Sequence, residues 1–129
     1  MARILVIDDD SDVRTLMVYE LQVAGHEVRG ASDGAKGLTL QRESPADVVV
    51  TDIYMPEKEG IETIRDLKQE FPRVKIIAIS GGGRNLSAGA FSARDLRVVA
   101  GELGVIAVLQ KPFETRELLR SIESALGEH

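Results

Sequence analysis

The sequence contains no cysteine and no apolar run long enough to cross a bilayer. The absence of cysteine excludes disulfides and thiolate metal sites. The N-terminus lacks a signal-peptide pattern, so we expect a cytoplasmic protein without membrane contact. Linkers, low-complexity segments and internal repeats are also missing. The net charge of −5 argues against nucleic acid as a direct partner.

What the sequence does contain is the composition of one globular domain. The chain has 129 residues, of which 43% are hydrophobic. A domain of this size buries roughly two-thirds of the surface that its unfolded chain exposes. There is no room for a second domain of ordinary size. We therefore predict a single domain over residues 1–129.

Short apolar runs rich in β-branched residues alternate with helical patterns along the chain. Alternation of this kind predicts an α/β fold with a parallel sheet and helices on both faces. The first run is very apolar and the second is mixed, which places the second at an edge. The expected fold is a doubly wound, five-stranded sheet of order 2-1-3-4-5. The predicted strands are 3–7, 27–30, 48–52, 74–79 and 105–109, and the predicted helices are about 11–24, 34–41, 61–70, 92–103 and from 114 or 115 onward.

Carboxylates follow two of these strands at the point where each strand ends. Asp8 and Asp9 follow the first strand, and Asp52 ends the third. In the predicted order these strands are neighbours, so all three carboxylates meet at the crevice where such sheets bind ligands. Like charges this close need a counter-charge. An all-oxygen, carboxylate-rich site is suited to Mg²⁺.

The fourth and fifth strands end on groups that could bind phosphate at the same edge. Ser80 offers a hydroxyl, Gly81 offers an unobstructed backbone N–H, and Lys111 offers a positive charge. A carboxylate nucleophile, a metal, a hydroxyl and an ammonium are the parts needed for phosphoryl transfer. We therefore predict that Asp52 is the nucleophile of this site.

These residues closely resemble the motifs of receiver domains from two-component response regulators. The motifs are Asp8-Asp9-Asp10 after the first strand, Asp52-Ile-Tyr-Met-Pro after the third, Ser80, and Lys111-Pro112-Phe113. The resemblance implies a flavodoxin-like fold related to chemotaxis regulators. It also implies a signalling phosphoacceptor rather than an enzyme, one that assists its own phosphorylation and dephosphorylation.

The resemblance further implies a role for each site residue. Asp52 would accept a phosphoryl group from a sensor histidine kinase or a histidine phosphotransfer protein. Asp8 and Asp9 would form the acidic pocket, and Asp9, Asp52 and the carbonyl of Tyr54 would bind Mg²⁺. Ser80 would hydrogen-bond the acyl phosphate, and Lys111 would form a salt bridge to it, with a cis Lys111–Pro112 peptide.

Three features depart from the family pattern. Val108 occupies a position that is usually aromatic, which puts the usual coupling from the Ser80 hydroxyl to an aromatic ring in doubt. The segment 81–91 is longer than typical, and we hypothesise that phosphorylation orders it and shifts the following helix. No effector domain follows the last helix, so the output is either a separate protein target or a module missing from this sequence.

Three alternative functions remain open at this point. A Mg²⁺-dependent aspartyl-phosphate phosphohydrolase would share the nucleophile, although its usual second Asp is replaced by Tyr54. A flavodoxin-type flavin protein would share the sheet, but the acidic run Asp8-Asp9-Asp10 would repel phosphate. A degenerate receiver that serves only as an interaction module is favoured by Val108 alone.

Overall fold

The computed structural model describes residues 2–53, 59–80 and 101–127. Strands and helices alternate along these residues, as predicted. The strands are β1 (Arg3–Ile7), β2 (Glu27–Ala31), β3 (Val48–Asp52), β4 (Lys75–Ser80) and β5 (Ala107–Gln110), and the helices are α1 (Ser11–Val23), α2 (Gly34–Glu43), α3 (Glu59–Glu70) and the C-terminal helix (Thr115–Ala125). Residues 101–103 are also helical, and the rest of the predicted helix 92–103 lies outside the described residues.

The strands form one parallel sheet of order β2-β1-β3-β4-β5, which confirms the predicted topology. β1 and β3 are neighbours, with Ile7 opposite Thr51. β3 and β4 are aligned so that Asp52 lies opposite Ile79, and Ser80 lies opposite Gln110 of β5. Because all the strands are parallel, the carboxyl ends of β1, β3, β4 and β5 lie at one edge of the sheet.

Each face of the sheet has its own apolar cluster. Alternate residues of every strand point to opposite faces, so Val6 and Val50 belong to one cluster while Leu5 and Val49 belong to the other. The first cluster includes Leu21 and other residues of α1, together with residues of the C-terminal helix. The second cluster includes residues of α3. The predicted covering of both faces by helices is confirmed.

The ends of α1 follow from capping residues. Asp10 is the N-cap, and its carboxylate accepts the backbone N–H groups of Asp12 and Val13. At the other end, Gly25 takes a φ of 98°, a left-handed conformation that glycine adopts without steric cost. The sequence pattern, with Asp10 and Ser11 before the helix and Gly25 after it, predicts these ends.

Some details differ from what the sequence predicts. The helical spacing of apolar residues in α1 predicts that Leu16 lies in the core, but Leu16 is 57% exposed, because the buried stripe of α1 is narrow and consists of Met17 and Leu21. β5 begins at Ala107 rather than at residue 105. Ile106 donates its N–H to Ile76, yet pairing with β4 starts only at Ala107.

Candidate functional site

Three carboxylates lie together at the carboxyl ends of β1 and β3. One ligand oxygen from each of Asp8, Asp9 and Asp52 lies within 4.8 Å of the others. Asp8 is fully buried and Asp52 is 4% exposed, whereas Asp9 is exposed to solvent. The adjacency of β1 and β3 produces this cluster, because two residues separated by more than forty positions end up on neighbouring strand ends.

Lys111 is the cationic partner of the two buried carboxylates. Its Nζ lies 3.2 Å from Oδ2 of Asp52 and 3.3 Å from Oδ2 of Asp8. The Lys111 backbone N–H donates to the Ser80 carbonyl, which ties the residue to the end of β4. The Lys111–Pro112 peptide is cis, as the resemblance implied.

The pKa of Lys111 reflects two opposing effects. Burial disfavours the charged ammonium and lowers its pKa, but the negative charges of Asp52 and Asp8, with hydrogen bonds to both, outweigh burial. The net result is a raised pKa for Lys111. The lysine is therefore fully charged at neutral pH and neutralises part of the acidic cluster.

Asp8 is held by hydrogen bonds with the β1–α1 loop, with Lys111 and with β2. Oδ1 of Asp8 accepts the backbone N–H of Asp10 at 2.9 Å, while Oδ2 pairs with Lys111. The Asp8 backbone N–H donates to the Ala31 carbonyl of β2. Asp8 thus has both carboxylate oxygens engaged and cannot rotate freely.

Charge and donor chemistry agree with a divalent cation at this position. Three carboxylates and one ammonium leave two negative charges among the side chains that form the cluster. All the side-chain donors there are carboxylate oxygens, which suit Mg²⁺ rather than a soft metal. The side chains present therefore fit the Mg²⁺ that the sequence predicts.

The other predicted site residues differ in how far the structure describes them. Ser80 is buried at the end of β4, beside the strand that carries Asp52. Val108 lies half-buried on β5 opposite Ala78 and packs against the second apolar cluster. Tyr54, Gly81 and the segment 81–91 lie outside the described residues, so their expected roles stay predictions.

Two residues near the site were not singled out by sequence analysis for the contacts they make. Arg14 donates from Nη1 to the Asp8 carbonyl at 2.8 Å. Gly60 lies so close to β3 that an added Cβ would be 2.6 Å from the Asp52 carbonyl oxygen. A helical arginine one turn after an acidic strand end is a signal that could have identified Arg14.

With this geometry established, comparison with known proteins assigns the family. The family profile described as the response regulator receiver domain matches residues 4–123. The chain is a response regulator receiver domain. Receiver domains are signalling domains of two-component systems, and this assignment decides against the phosphohydrolase and flavodoxin-type alternatives.

Individual relatives agree with the assignment over nearly the whole chain. The response regulator receiver protein CpdR of Brucella abortus is 35% identical, with 98% of each chain covered. The transcriptional regulatory protein CpxR of Escherichia coli is 34% identical, but this chain spans only 50% of its length. A receiver domain structure from Clostridium thermocellum superposes with a TM-score of 0.82 at 31% identity, covering 98% of this chain and 95% of that one. No helix of the described part of the receiver could cross a membrane.

Proposed function

We propose that this receiver accepts a phosphoryl group on Asp52 from a phosphohistidine of a sensor kinase or phosphotransfer protein. The observation that carries the proposal is the contact of one lysine, Lys111, with two buried carboxylates at the switch point of the sheet. Buried ionised groups cost free energy unless they are paired. A site in which buried ionised groups lie beside the exposed Asp9 carboxylate is suited to binding a charged group.

The transfer forms a bond between an Asp52 carboxylate oxygen and phosphorus. The P–N bond to the donor imidazole breaks at the same time, and its electron pair stays on the imidazole nitrogen. The Nζ of Lys111 lies 3.2 Å from Asp52, and we expect it to neutralise charge on the transferred oxygens. The Ser80 hydroxyl and the Gly81 backbone N–H are the hydrogen-bond donors that we expect to contact the bound phosphoryl group.

We infer that Asp8, Asp9 and Asp52 hold Mg²⁺ during this reaction, together with the Tyr54 carbonyl expected from the family. When bound, the metal would neutralise the oxygens of the attacking carboxylate and of the phosphoryl group. The chain's own residues supply the rest. The Asp10 N–H fixes the Asp8 carboxylate, and the Lys111 ammonium contacts both Asp8 and Asp52.

The same groups would serve the later steps of signalling. We propose that residues 1–129 act as one receiver domain that assists its own phosphorylation and dephosphorylation. Its phosphorylated form would control a separate protein target or an effector domain. The relatives CpxR and NtrC are described as transcriptional regulators, and this chain spans 50% and 24% of their lengths. An effector beyond a receiver is therefore one route for the output.

A small-molecule phosphodonor tests the proposal without the cognate kinase. The protein is incubated with Mg²⁺ and acetyl phosphate and its intact mass is measured. We expect one added phosphoryl group in the wild type and in the exposed-carboxylate control Asp66→Asn, and none in Asp52→Asn. Unmodified wild-type protein would support the degenerate receiver, and turnover of phosphate monoesters would restore the phosphohydrolase alternative.

A further inference from the structure

Arg14 reaches back from the first turns of α1 to the strand end that carries the acidic pair. Its Nη1 donates to the Asp8 carbonyl at 2.8 Å, and the contact is partly buried. We propose that Arg14 is a positioning residue that fixes the Asp8–Asp9 peptide and thereby orients both acids for metal binding and phosphorylation. This inference rests on the proposed function of the site.

The Asp8 carbonyl needs this donor because the sheet ends there. The N–H and C=O of one residue in a strand point to the same side. The Asp8 N–H bonds to Ala31, so its carbonyl also faces β2, but β2 ends at Ala31. No further rung of the ladder can satisfy the carbonyl. Arg14 takes the place of the missing strand residue with a charge-assisted hydrogen bond.

The position of this carbonyl matters because it belongs to the peptide that joins the two acids. The orientation of that peptide plane fixes the last backbone torsion of Asp8 and the first of Asp9. The Asp8 side chain is already held by Asp10 and Lys111. Exposed Asp9 has no ion pair among the described residues, so the peptide plane is the element that aims its carboxylate.

Gly30 provides the space through which the arginine passes. An added Cβ at Gly30 would lie 3.2 Å from both Cγ and Cδ of Arg14 and 3.3 Å from Cγ2 of Val18. Glycine within a strand weakens the strand and often marks a close approach. Here the approaching group is the aliphatic stem of Arg14. A methyl group at residue 30 would therefore press on the stem of Arg14, which must shift by a few tenths of an ångström, without touching the acids.

The first experiment compares Arg14→Met with Arg14→Lys in the full chain. Mg²⁺ affinity is measured by calorimetry, and phosphorylation by acetyl phosphate is followed by intact mass. We expect Arg14→Met to weaken both by roughly tenfold or more, the usual effect of losing a group that orients a metal ligand. Arg14→Lys should recover part of the loss because it keeps one donor. Arg42→Met removes an arginine that binds Glu70 on α3 and is the control, with wild-type values expected.

A second experiment uses Gly30→Ala alone and combined with Arg14→Ala. If the alanine acts by shifting the stem of Arg14, Gly30→Ala slows phosphorylation in the wild-type background and has no further effect once Arg14 is gone. Amide exchange in metal-free protein gives an independent measurement. The Asp10 N–H, which donates to the Asp8 carboxylate, should exchange faster in Arg14→Met and in Gly30→Ala.

The outcomes separate this inference from the function on which it rests. A wild type that takes no phosphate contradicts the proposed function. The role of Arg14 is overturned if the wild type takes up phosphate and Arg14→Met has the same Mg²⁺ affinity, phosphorylation rate and Asp10 N–H exchange as the wild type. If Arg14→Met fails to fold, the Arg14→Lys and Gly30→Ala proteins decide, and wild-type rates and exchange in Gly30→Ala would overturn it equally.

Discussion

The Nζ of Lys111 lies 3.2 Å from Oδ2 of Asp52, although 59 positions separate the two residues along the chain. β4 lies between the strands that precede them. The lysine therefore extends across the end of β4 to reach Asp52, and its Nζ also contacts Asp8 on the far side. A long, flexible side chain with a compact charge is suited to this span.

Removing this charge should destabilise the metal-free protein. Lys111→Met removes the ammonium that contacts the buried Asp8 and Asp52 carboxylates. Breaking a fully buried pair costs about 3–5 kcal/mol, and we expect roughly 2 kcal/mol here because the lysine side chain is 24% exposed. Mg²⁺ should raise the Tm of the variant more than that of the wild type. Exposed Lys36→Met is the control, and an unchanged Tm in Lys111→Met would show that the ion pairs contribute nothing.

The raised pKa of Lys111 predicts a pH dependence at the alkaline end. The lysine of the unfolded chain titrates at about pH 10.4. In the folded protein, burial lowers the pKa of Lys111, but Asp52 and Asp8 outweigh it and the net pKa is raised. The contribution of Lys111 to stability is thus complete below the unfolded pKa and is lost as pH rises through the folded pKa. Urea unfolding of the wild type and of Lys111→Met should give free energies of unfolding that converge as the pH rises through the folded pKa of Lys111. A constant difference up to the most alkaline pH would contradict the shift.

Asp9 should matter for the metal and not for the fold. It is exposed and forms no ion pair among the described residues, yet its carboxylate lies within 4.8 Å of Asp8 and Asp52. Asp9→Ala should lower Mg²⁺ affinity and slow phosphorylation by acetyl phosphate. The Tm of the metal-free variant should be equal to or above that of the wild type, because a like charge has been removed. Unchanged calorimetric titration with Mg²⁺ would remove Asp9 from the site.

The sequence predicted the sheet order and the carboxylate cluster because both depend on strong local patterns. Apolar β-branched runs define the strands, and the position of Asp52 at a strand end follows directly. Contacts that depend on side-chain packing across elements could not be predicted. The exposure of Leu16, the reach of Arg14 to Asp8 and the close approach at Gly37 all depend on how helices sit on the sheet.

Gly37 shows this limit most clearly and leads to a stability prediction. From sequence it only weakens α2, but an added Cβ would lie 2.9 Å from Cγ1 of fully buried Ile7. Gly37→Ala should therefore lower stability by about 1–3 kcal/mol through overpacking, less the ~1 kcal/mol gained in helix propensity. Gly37→Ala with Ile7→Val should recover part of the loss. Urea unfolding measures both, and a more stable single variant would show that α2 can shift outward.

The identity of the phosphorylated residue can be measured by chemical trapping. Borohydride reduces an aspartyl phosphate to homoserine but leaves phosphoserine intact, so peptide sequencing by mass spectrometry locates the modified position after treatment with Mg²⁺ and acetyl phosphate. We expect homoserine at residue 52 and nowhere else. Homoserine at position 8 or 9, or phosphoserine at Ser80, would contradict the assignment of Asp52 as the phosphoacceptor.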